Sequence, residues 1–282
     1  MSLAIRCAEL RKTYDGRPPV EAVRGIDLAV EEGECFGMLG PNGAGKTTTI
    51  EILEGLLDPT SGDVEILGMR WHESGAAIRE RIGISLQETR FSDKLTVREI
   101  LTLFRSFYRS GLAPEEAIAR VSLEDKADTW VKKLSGGQKQ RLAVATALVG
   151  DPAMVFLDEP TTGLDPHSRR EVWALLSTLR GRGRTIVITT HYMEEAEELC
   201  DEVALISGGR IYRQGTVEEL RSHCRNRFKA VYESSGSRQV VHGESSEDVL
   251  AELAWRGVET FSLSKASLED VYLELTAEAL EA

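Results

Sequence analysis

The sequence predicts an α/β fold, in which helices cover a largely parallel sheet and an antiparallel layer precedes it. Short apolar runs bounded by turn residues recur along the chain, as in ECFGMLG, AMVFLD, TIVITT and EVALIS. Segments with helical periodicity, such as SRREVWALLSTLRGRG, lie between several of these runs. Because continuously apolar runs are typical of strands buried on both faces, this alternation favours parallel strands covered by helices.

Three further segments complete the predicted organisation. The early stretches AIRCAELRKTYDG and VRGIDLAVEEGE alternate polar and apolar residues, which predicts an antiparallel edge layer with one exposed face. At about residues 88–150 the strand pattern fades, and Thr96 and Glu99 have capping-box spacing, which predicts a helical insertion. We therefore expect residues 1–221 to form one large domain around this insertion, and residues 222–282 to form a small α+β domain.

The composition disfavours several classes of protein. The formal net charge of -12 and the pI near 5.1 oppose binding to a polyanion, so no nucleic acid is expected as a partner. The four cysteines are scattered, without a CxxC pair or a Cys/His cluster, so neither a zinc site nor a redox dithiol is expected. No signal segment is recognisable and the apolar runs are far shorter than a membrane span, which predicts a cytoplasmic protein.

A glycine-rich segment after the first buried strand fits a phosphate-binding loop. It has the pattern GxxxxGK[ST] between a strand and a helix, and consists of Gly40, Pro41, Asn42, Gly43, Ala44, Gly45, Lys46 and Thr47. The glycines let backbone N–H groups turn towards a phosphate, Lys46 supplies charge for the β and γ oxygens, and Thr47 offers a hydroxyl to Mg²⁺. The alternative is a plain strand-to-helix turn, which the Lys-Thr pair at this spacing disfavours.

Polar residues also follow other predicted strands, at what a parallel sheet would make the same edge. Asp158 ends the run MVFLD and is the predicted Mg²⁺ partner, while Glu159 faces another side and is free to orient or deprotonate a water. His191 follows TIVITT, where a histidine can contact a γ-phosphate. Taken alone, the two acids could form a solvated turn and the histidine could be structural.

Two other residues are less specific candidates. Gln87 follows the predicted strand RIGIS and can contact Mg²⁺ or the attacking water. Tyr14, near the end of an edge strand, can stack on an adenine ring. The alternatives are an ordinary loop residue for Gln87 and simple packing for Tyr14.

A second glycine-containing helix start lies further along the chain. Ser135, Gly136, Gly137 and Gln138 precede a helical run, so a hydroxyl, backbone N–H groups and a helix dipole converge on a site for one anion. The alternative is a plain serine N-cap. Two glycines directly after a cap lower helix propensity, which favours a ligand that approaches the backbone closely. The phosphate loop leaves one side of a triphosphate open, and a second copy of the chain can close it.

The order of these motifs resembles that of the ATP-binding cassette (ABC) ATPases, over roughly residues 3 to 220. LSGGQ stands between a Walker A loop, GPNGAGKTT, and a Walker B strand, MVFLDE, and TGLD and His191 match the D-loop and the switch histidine. The resemblance implies a P-loop NTPase fold with a mixed sheet and a helical subdomain, and ATP and Mg²⁺ as cofactors. It also implies a head-to-tail homodimer, with each ATP between one copy's Walker A loop and the other's LSGGQ.

The resemblance implies a role for each matching residue, and the chain departs from the family pattern at none of them. Grouped by role, they are Tyr14 for adenine, Lys46 and Thr48 for phosphates, Thr47 and Gln87 for Mg²⁺, Glu159 as catalytic base, His191 for the γ-phosphate and Asp165 across the dimer. We therefore expect the chain to be competent for ATP hydrolysis.

A narrower resemblance concerns the segments HYMEEAEELCDEVALISGGRI and SLEDVYLEL. They are similar to stand-alone ATPase subunits of ABC-2 type exporters, including daunorubicin-resistance-like drug efflux pumps. This implies a separate integral membrane permease that carries the substrate path and holds the ATPase at the cytoplasmic face of the membrane. The permease's coupling helix would contact the loop after Gln87 and the helical insertion. The C-terminal domain would be regulatory or dimer-supporting, with a passive stabilising extension as the alternative.

Two other functional classes remain as alternatives at this point. A soluble ABC ATPase that works without a transporter, for example in iron-sulfur assembly, is also a single cassette, although the C-terminal domain does not suit it. A GTPase would share the phosphate loop, but no NKxD-like segment follows the Walker B strand.

Overall fold

The computed structural model describes residues 2–87, 89–234 and 237–281. Side chains are described for all of these residues except 275–281. It divides into two compact units, Met1–Tyr212 and Arg213–Ala282. The division falls earlier than the boundary expected after residue 221, because the short helix Val217–Ser222 packs against the C-terminal helix Leu268–Glu281 of the second unit. None of the described helices is long and apolar enough to cross a bilayer.

The strands and helices alternate along much of the chain. The strands are β1 (Leu3–Tyr14), β2 (Val20–Glu31), β3 (Cys35–Leu39), β4 (Ser61–Ile66), β5 (Ile82–Ser85), β6 (Met154–Asp158), β7 (Thr185–Thr190), β8 (Glu202–Ser207), β9 (Arg210–Thr216), β10 (Phe228–Ser234), β11 (Ser237–Gly243) and β12 (Ser262–Lys265). The helices are α1 (Lys46–Leu53), α2 (Trp71–Arg79), α3 (Val97–Arg105), α4 (Pro114–Arg120), α5 (Gly136–Leu148), α6 (Pro166–Arg180), α7 (Met193–Leu199), α8 (Val217–Ser222), α9 (Ser246–Trp255) and α10 (Leu268–Glu281).

A six-stranded sheet has the order β5-β6-β7-β3-β8-β9, and its strands β5, β6, β7, β3 and β8 form the centre of the first unit. The neighbouring pairs from β5 to β8 are all parallel, and every residue of β3, β6 and β7 is buried. This confirms the α/β class that the apolar runs predict, since strands covered on both faces have no exposed side to make polar.

The predicted antiparallel layer is a separate three-stranded sheet in the order β2-β1-β4. Its inner face shares one apolar core with α1 and the central sheet, represented by Ile5, Ile26, Phe36, Ile50 and Phe156. The layer and the central sheet therefore enclose α1, the helix that follows the phosphate loop.

Helices α3, α4 and α5 occupy the predicted insertion between β5 and β6. The capping box expected at the start of α3 is present: Glu99 N donates to Thr96 Oγ1 at 3.2 Å, and Thr96 N donates to Glu99 Oε2 at 2.8 Å. The insertion ends with α5, whose buried side contacts β5 and β6.

The second unit has its own small core. Its sheet has the order β11-β10-β12, and β10 and β11 form the antiparallel hairpin that the sequence predicts. Helix α9 covers this sheet, and Ala230, Tyr232, Val241, Val249 and Leu253 are buried between them. This arrangement matches the predicted α+β architecture.

Candidate functional site

Four neighbouring parallel strands bring the predicted polar residues to one edge of the central sheet. Gln87 follows β5, Asp158 ends β6, His191 follows β7 and the phosphate loop follows β3. Since the strands β5, β6, β7 and β3 are adjacent in that order, residues far apart in the sequence become neighbours.

The phosphate loop curls around the ammonium group of Lys46. Lys46 Nζ donates to the carbonyl oxygens of Gly40 at 2.8 Å and Pro41 at 3.1 Å. Gly45 has a φ of 103°, and a Cβ there would lie 2.5 Å from the Ala22 carbonyl oxygen, so only glycine fits. Gly43 also has a positive φ, of 80°, and open space beside it. The loop thus has a conformation that requires glycine at Gly45 and leaves open space beside Gly43.

A cavity of about 440 Å³ opens beside this loop. Its wall includes Asn42, Gly43, Gly45, Lys46, Thr47, Thr48, Gln87 and Glu159, together with Tyr14, Val20 and Ala22 from the antiparallel layer. The hydroxyls of Tyr14 and Thr48 lie 3.3 Å apart. The aromatic ring predicted to bind adenine therefore stands at the same cavity as the predicted phosphate ligands.

The carboxylate of Glu159, only 8% exposed, is the point at which the site residues meet. Its Oε1 lies 3.7 Å from Lys46 Nζ and 3.2 Å from His191 Nδ1. Its Oε2 accepts hydrogen bonds from Gln87 Nε2 and from Thr162 Oγ1, both at 3.0 Å. The sequence analysis placed three of these neighbours at the site. It included Thr162 only as the first residue of TGLD, in the exposed turn after the strand, and gave it no role of its own.

Asp158 is buried beside Glu159 and accepts a hydrogen bond from Thr189 Oγ1. Burial raises the pKa of Asp158, which the bond from Thr189 and the charge of Lys46 oppose. Burial likewise lowers the pKa of Lys46, and the charges of Glu159 and Asp158 oppose that change. Thr189 was missed because a threonine inside an apolar strand gives no sequence signal beyond β propensity.

The oxygen donors at this edge suit Mg²⁺, which prefers carboxylate, hydroxyl, phosphate and water oxygens. Thr47, which lines the cavity, has a hydroxyl, Gln87 has an amide oxygen, and Asp158 has a carboxylate. Among the described residues no cluster of three or more His, Cys, Asp or Glu side chains forms a complete metal cage.

The second glycine-containing helix start lies outside this cavity. The wall of the cavity contains none of Ser135, Gly136, Gly137, Gln138 or Asp165. Ser135 caps α5 in a capping box, because Gln138 N donates to Ser135 Oγ at 3.3 Å and Ser135 N donates to Gln138 Oε1 at 3.0 Å. The plain N-cap interpretation is thus correct locally. Ser135 and Gly136 are nevertheless exposed, so the helix start is open to a ligand from outside the chain.

The two glycines at the start of α5 have different surroundings. A Cβ on Gly137 would lie 2.6 Å from Ser168 Oγ at the start of α6, so packing inside the chain requires that glycine. A Cβ on Gly136 would meet only Leu164, at 3.8 Å, so nothing in the described residues requires glycine there. The sequence argument for a closely approaching ligand therefore applies to Gly136 and not to Gly137.

Asp165 caps the neighbouring helix α6. Its Oδ1 accepts from the backbone N–H groups of His167 and Ser168, both at 3.0 Å. The hydrogen bond from the Ser168 hydroxyl, followed by these backbone bonds, lowers the pKa of Asp165. Since Ser168 also contacts Gly137, the starts of α5 and α6 form one exposed surface.

Glu54, at the end of α1, is a buried acid that sequence reasoning did not identify. It is 2% exposed, neither carboxylate oxygen has a hydrogen-bond partner among the described residues, and burial raises its pKa to about 8. The charges of Asp158 and Glu51 contribute to the same rise in its pKa. The helix after the phosphate loop thus carries a carboxyl group that is protonated in the folded state at neutral pH.

We predict that Glu54 makes folding stability fall as the pH rises. Because the pKa of Glu54 is raised in the folded state, its contribution to the free energy of unfolding is complete below about pH 4.5. That contribution is lost as the pH rises towards about 8. This loss is on the order of 4 kcal/mol for Glu54. Urea unfolding of Glu54→Gln between pH 5 and 8 should show a clearly shallower pH slope than the parent chain. Glu34, whose pKa is also raised, to about 7, contributes to the pH slope of stability in both the parent chain and Glu54→Gln. Equal pH slopes in the two proteins would contradict the prediction.

Known proteins share sequence similarity with this chain over nearly its whole length. The family described as ABC transporter matches residues 23–162. Nod factor export ATP-binding protein I of Rhizobium meliloti (strain 1021) is 36% identical over 304 residues, covering 99% of this chain and 90% of the relative.

Two solved structures extend the comparison to three dimensions. One is the dimeric structure of a post-hydrolysis state of an ATP-binding cassette bound to ADP and Pi, with a TM-score of 0.69 and 29% identity, covering 75% of this chain and 98% of the cassette. The other is an ATP-binding subunit of an ABC transporter, with a TM-score of 0.72 and 24% identity, covering 97% of this chain and 99% of that subunit. The second structure shows that the fold, including the C-terminal unit, has a precedent.

Proposed function

This chain belongs to the ABC transporter family as an ATP-binding subunit that hydrolyses ATP, and we propose that it powers an exporter whose permease is a separate membrane protein. The observation that supports the catalytic part of this proposal is the convergence of Lys46, Gln87 and His191 on the Glu159 carboxylate. The similarity to Nod factor export ATP-binding proteins favours a transporter over an ATPase that works without one.

In the proposed mechanism Glu159 accepts the proton of the attacking water. Its carboxylate is buried beside Lys46, where removal from water strengthens charge interactions. Gln87 holds the carboxylate and can orient the water, and His191 stands where it can donate to the γ-phosphate. Lys46 stabilises the negative charge on the phosphate oxygens, as preorganised cations do in phosphoryl transfer.

Substrate binding uses the rest of the cavity wall. Tyr14 stacks on adenine, the backbone from Gly40 to Gly45 surrounds the β-phosphate, and Thr48 binds the α-phosphate. Thr47, Gln87 and Asp158 are the residues that would hold Mg²⁺, which neutralises phosphate charge when it is bound.

A second copy of the chain completes the site in this proposal. The cavity is open, while Ser135 and Gly136 are exposed elsewhere on the same unit. In a head-to-tail dimer the start of α5 from one copy would face the γ-phosphate held by the other, with its N–H groups and positive helix end towards the anion. Asp165 lies on the same exposed surface and would contact the other copy. The dimeric state of the related cassette supports this arrangement.

A second cavity of the first unit suits the permease. It has a volume of about 460 Å³ and lies between the β5 edge and α3, with Leu56, Ile84, Leu86, Phe104 and Phe107 in its wall. Phe107 is 66% exposed and Leu56 is 57% exposed. Exposed apolar surface of this kind is typical of a protein interface. We propose that a short amphipathic helix of an ABC-2 type permease occupies it and holds the chain at the membrane.

Phe107→Asp tests the permease interface. A carboxylate in an apolar contact should weaken association with membranes of the native host at least about tenfold, while ATP hydrolysis by the isolated chain stays within about twofold. Sedimentation of tagged protein with host membranes gives the bound fraction. Trp255→Asp is the matched control, because Trp255 is an 82% exposed aromatic residue in the second unit.

If Phe107→Asp cosediments as the parent chain does, the proposed permease interface is wrong. If Trp255→Asp loses association to the same extent, the effect is not specific to the apolar cavity. Because ATP hydrolysis is measured separately, either result leaves the catalytic part of the proposal standing.

A further inference from the structure

Glu195 is a completely buried carboxylate that the hydrolysis mechanism does not use. It lies in α7 with 0% exposure, and its Oε1 accepts hydrogen bonds from Thr161 Oγ1 at 2.8 Å and Trp173 Nε1 at 3.0 Å. Burying a carboxylate is costly unless hydrogen bonds compensate for the lost water, so the bonds from Thr161 and Trp173 offset part of that cost. Glu195 is not in the wall of the nucleotide cavity.

The residues that meet at Glu195 come from three segments of the candidate site. Thr161 lies in the turn between Glu159 and Asp165, and Trp173 is on α6, the helix that Asp165 caps. Glu195 itself lies in the first turn of α7, the helix that follows His191 in the sequence. The junction of Thr161, Trp173 and Glu195 therefore joins the turn after the catalytic base to the segment that carries the switch histidine.

The backbone at Glu159 explains why such a junction is needed. Glu159 has a φ of 47°, in the left-handed region that a non-glycine residue adopts at a cost of roughly 1 kcal/mol or more. Its backbone N–H donates to the Thr189 carbonyl oxygen at 3.1 Å and to Thr189 Oγ1 at 3.0 Å. This strained turn is thus held from the β7–α7 segment twice, by Thr189 before His191 and by Glu195 after it.

We propose that Glu195 is a positioning residue that fixes the Glu159 turn to the switch-histidine segment, so that Glu159 and His191 keep one geometry around the γ-phosphate. The role rests on the proposed function of Glu159 and His191. Thr161 is the contact that transmits the position to the turn, and Trp173 extends the link to the helix behind Asp165. Since small misplacements of reacting groups cost large factors in rate, loosening this junction slows turnover without weakening nucleotide binding.

The test compares ATP hydrolysis and Mg-ATP affinity in four variants of the full chain. Glu195→Ala removes the junction, and Glu195→Gln keeps an amide oxygen that can accept both hydrogen bonds. Thr161→Val removes one donor at constant volume and provides a variant that should fold if Glu195→Ala does not. Glu194→Ala is the matched control, because Glu194 is an exposed glutamate on the same helix.

We expect kcat to fall at least about tenfold in Glu195→Ala and several-fold in Thr161→Val, with KM and Kd for ATP within about threefold of the parent values. Glu195→Gln should restore kcat to at least half, and Glu194→Ala should match the parent chain. A fall of kcat together with weakened ATP binding, or equal kcat in Glu195→Ala and Glu194→Ala, would overturn the proposal. The proposed function is tested separately, by ATP hydrolysis in the parent chain and its loss in Glu159→Gln. If that test succeeds, either contradicting result for Glu195→Ala overturns only the role given to Glu195.

Discussion

Replacing Glu159 with Gln is expected to lower kcat for ATP hydrolysis at least about 100-fold while leaving the affinity for Mg-ATP within about threefold. The amide has nearly the shape of the carboxylate and can still accept from Gln87 or Thr162, but it cannot take a proton from water. Phosphate release by the purified variant gives kcat, and titration with a fluorescent ATP analogue gives the affinity.

Glu194→Gln is a suitable control for this substitution, because it makes the same chemical change at an exposed glutamate. Its turnover should equal that of the parent chain. Turnover of Glu159→Gln within tenfold of the parent value would mean that another group removes the proton and that Glu159 is not the base.

Removing the charge of Lys46 should have the largest effect on nucleotide binding. We expect Lys46→Ala to weaken ATP binding at least about 100-fold, since one unit charge at about 4 Å and an effective dielectric constant of about 20 contributes about 4 kcal/mol. Lys46 is 5% exposed and lies between the loop carbonyls and Glu159, so a cation from bulk water cannot take the place of its ammonium group. Isothermal titration with Mg-ATP measures the loss.

Lys46→Arg separates charge from shape. The guanidinium keeps the charge, but its planar fork does not fit the loop, where Nζ reaches two carbonyl oxygens at 2.8 and 3.1 Å. We therefore expect Lys46→Arg to bind ATP weakly as well. Binding by Lys46→Ala at parental affinity would contradict the role given to the loop.

Much of the first unit follows from local sequence patterns. The runs CFGML, MVFLD and TIVITT predict buried parallel strands, and the parallel arrangement then puts Lys46, Asp158 and His191 at one sheet edge. The capping box at Thr96 is likewise a local signal that the structure bears out. Local patterns are sufficient to predict these strands and this helix start, because each element depends on residues that are close together in the sequence.

Long-range side-chain contacts could not be predicted in the same way. Thr189 bonds the backbone of Glu159, and Thr161 bonds Glu195, across 30 and 34 positions of the sequence. Neither threonine breaks the local pattern of its segment. The burial of Glu54 was also missed, since a glutamate near a helix end is ordinarily solvated.

Gly137 shows how one sequence signal can have two causes. Paired glycines after Ser135 favour an external ligand, yet Gly137 is required by contact with Ser168 of the same chain. Only Gly136 retains the original argument. A glycine pattern does not reveal which neighbour needs the space, because that neighbour is set by tertiary packing.

The most direct test of the central claim is the solution mass of Glu159→Gln with and without Mg-ATP, measured beside the double variant Glu159→Gln/Ser135→Arg. Slow hydrolysis should keep ATP in place, so the mass should double from the 31.1 kDa of one chain when ATP is added. The arginine should obstruct the helix start of α5 and keep the double variant monomeric with ATP still bound. A monomeric Glu159→Gln with ATP demonstrably bound, or equal dimerisation of the double variant, would contradict the claim that two copies enclose each nucleotide.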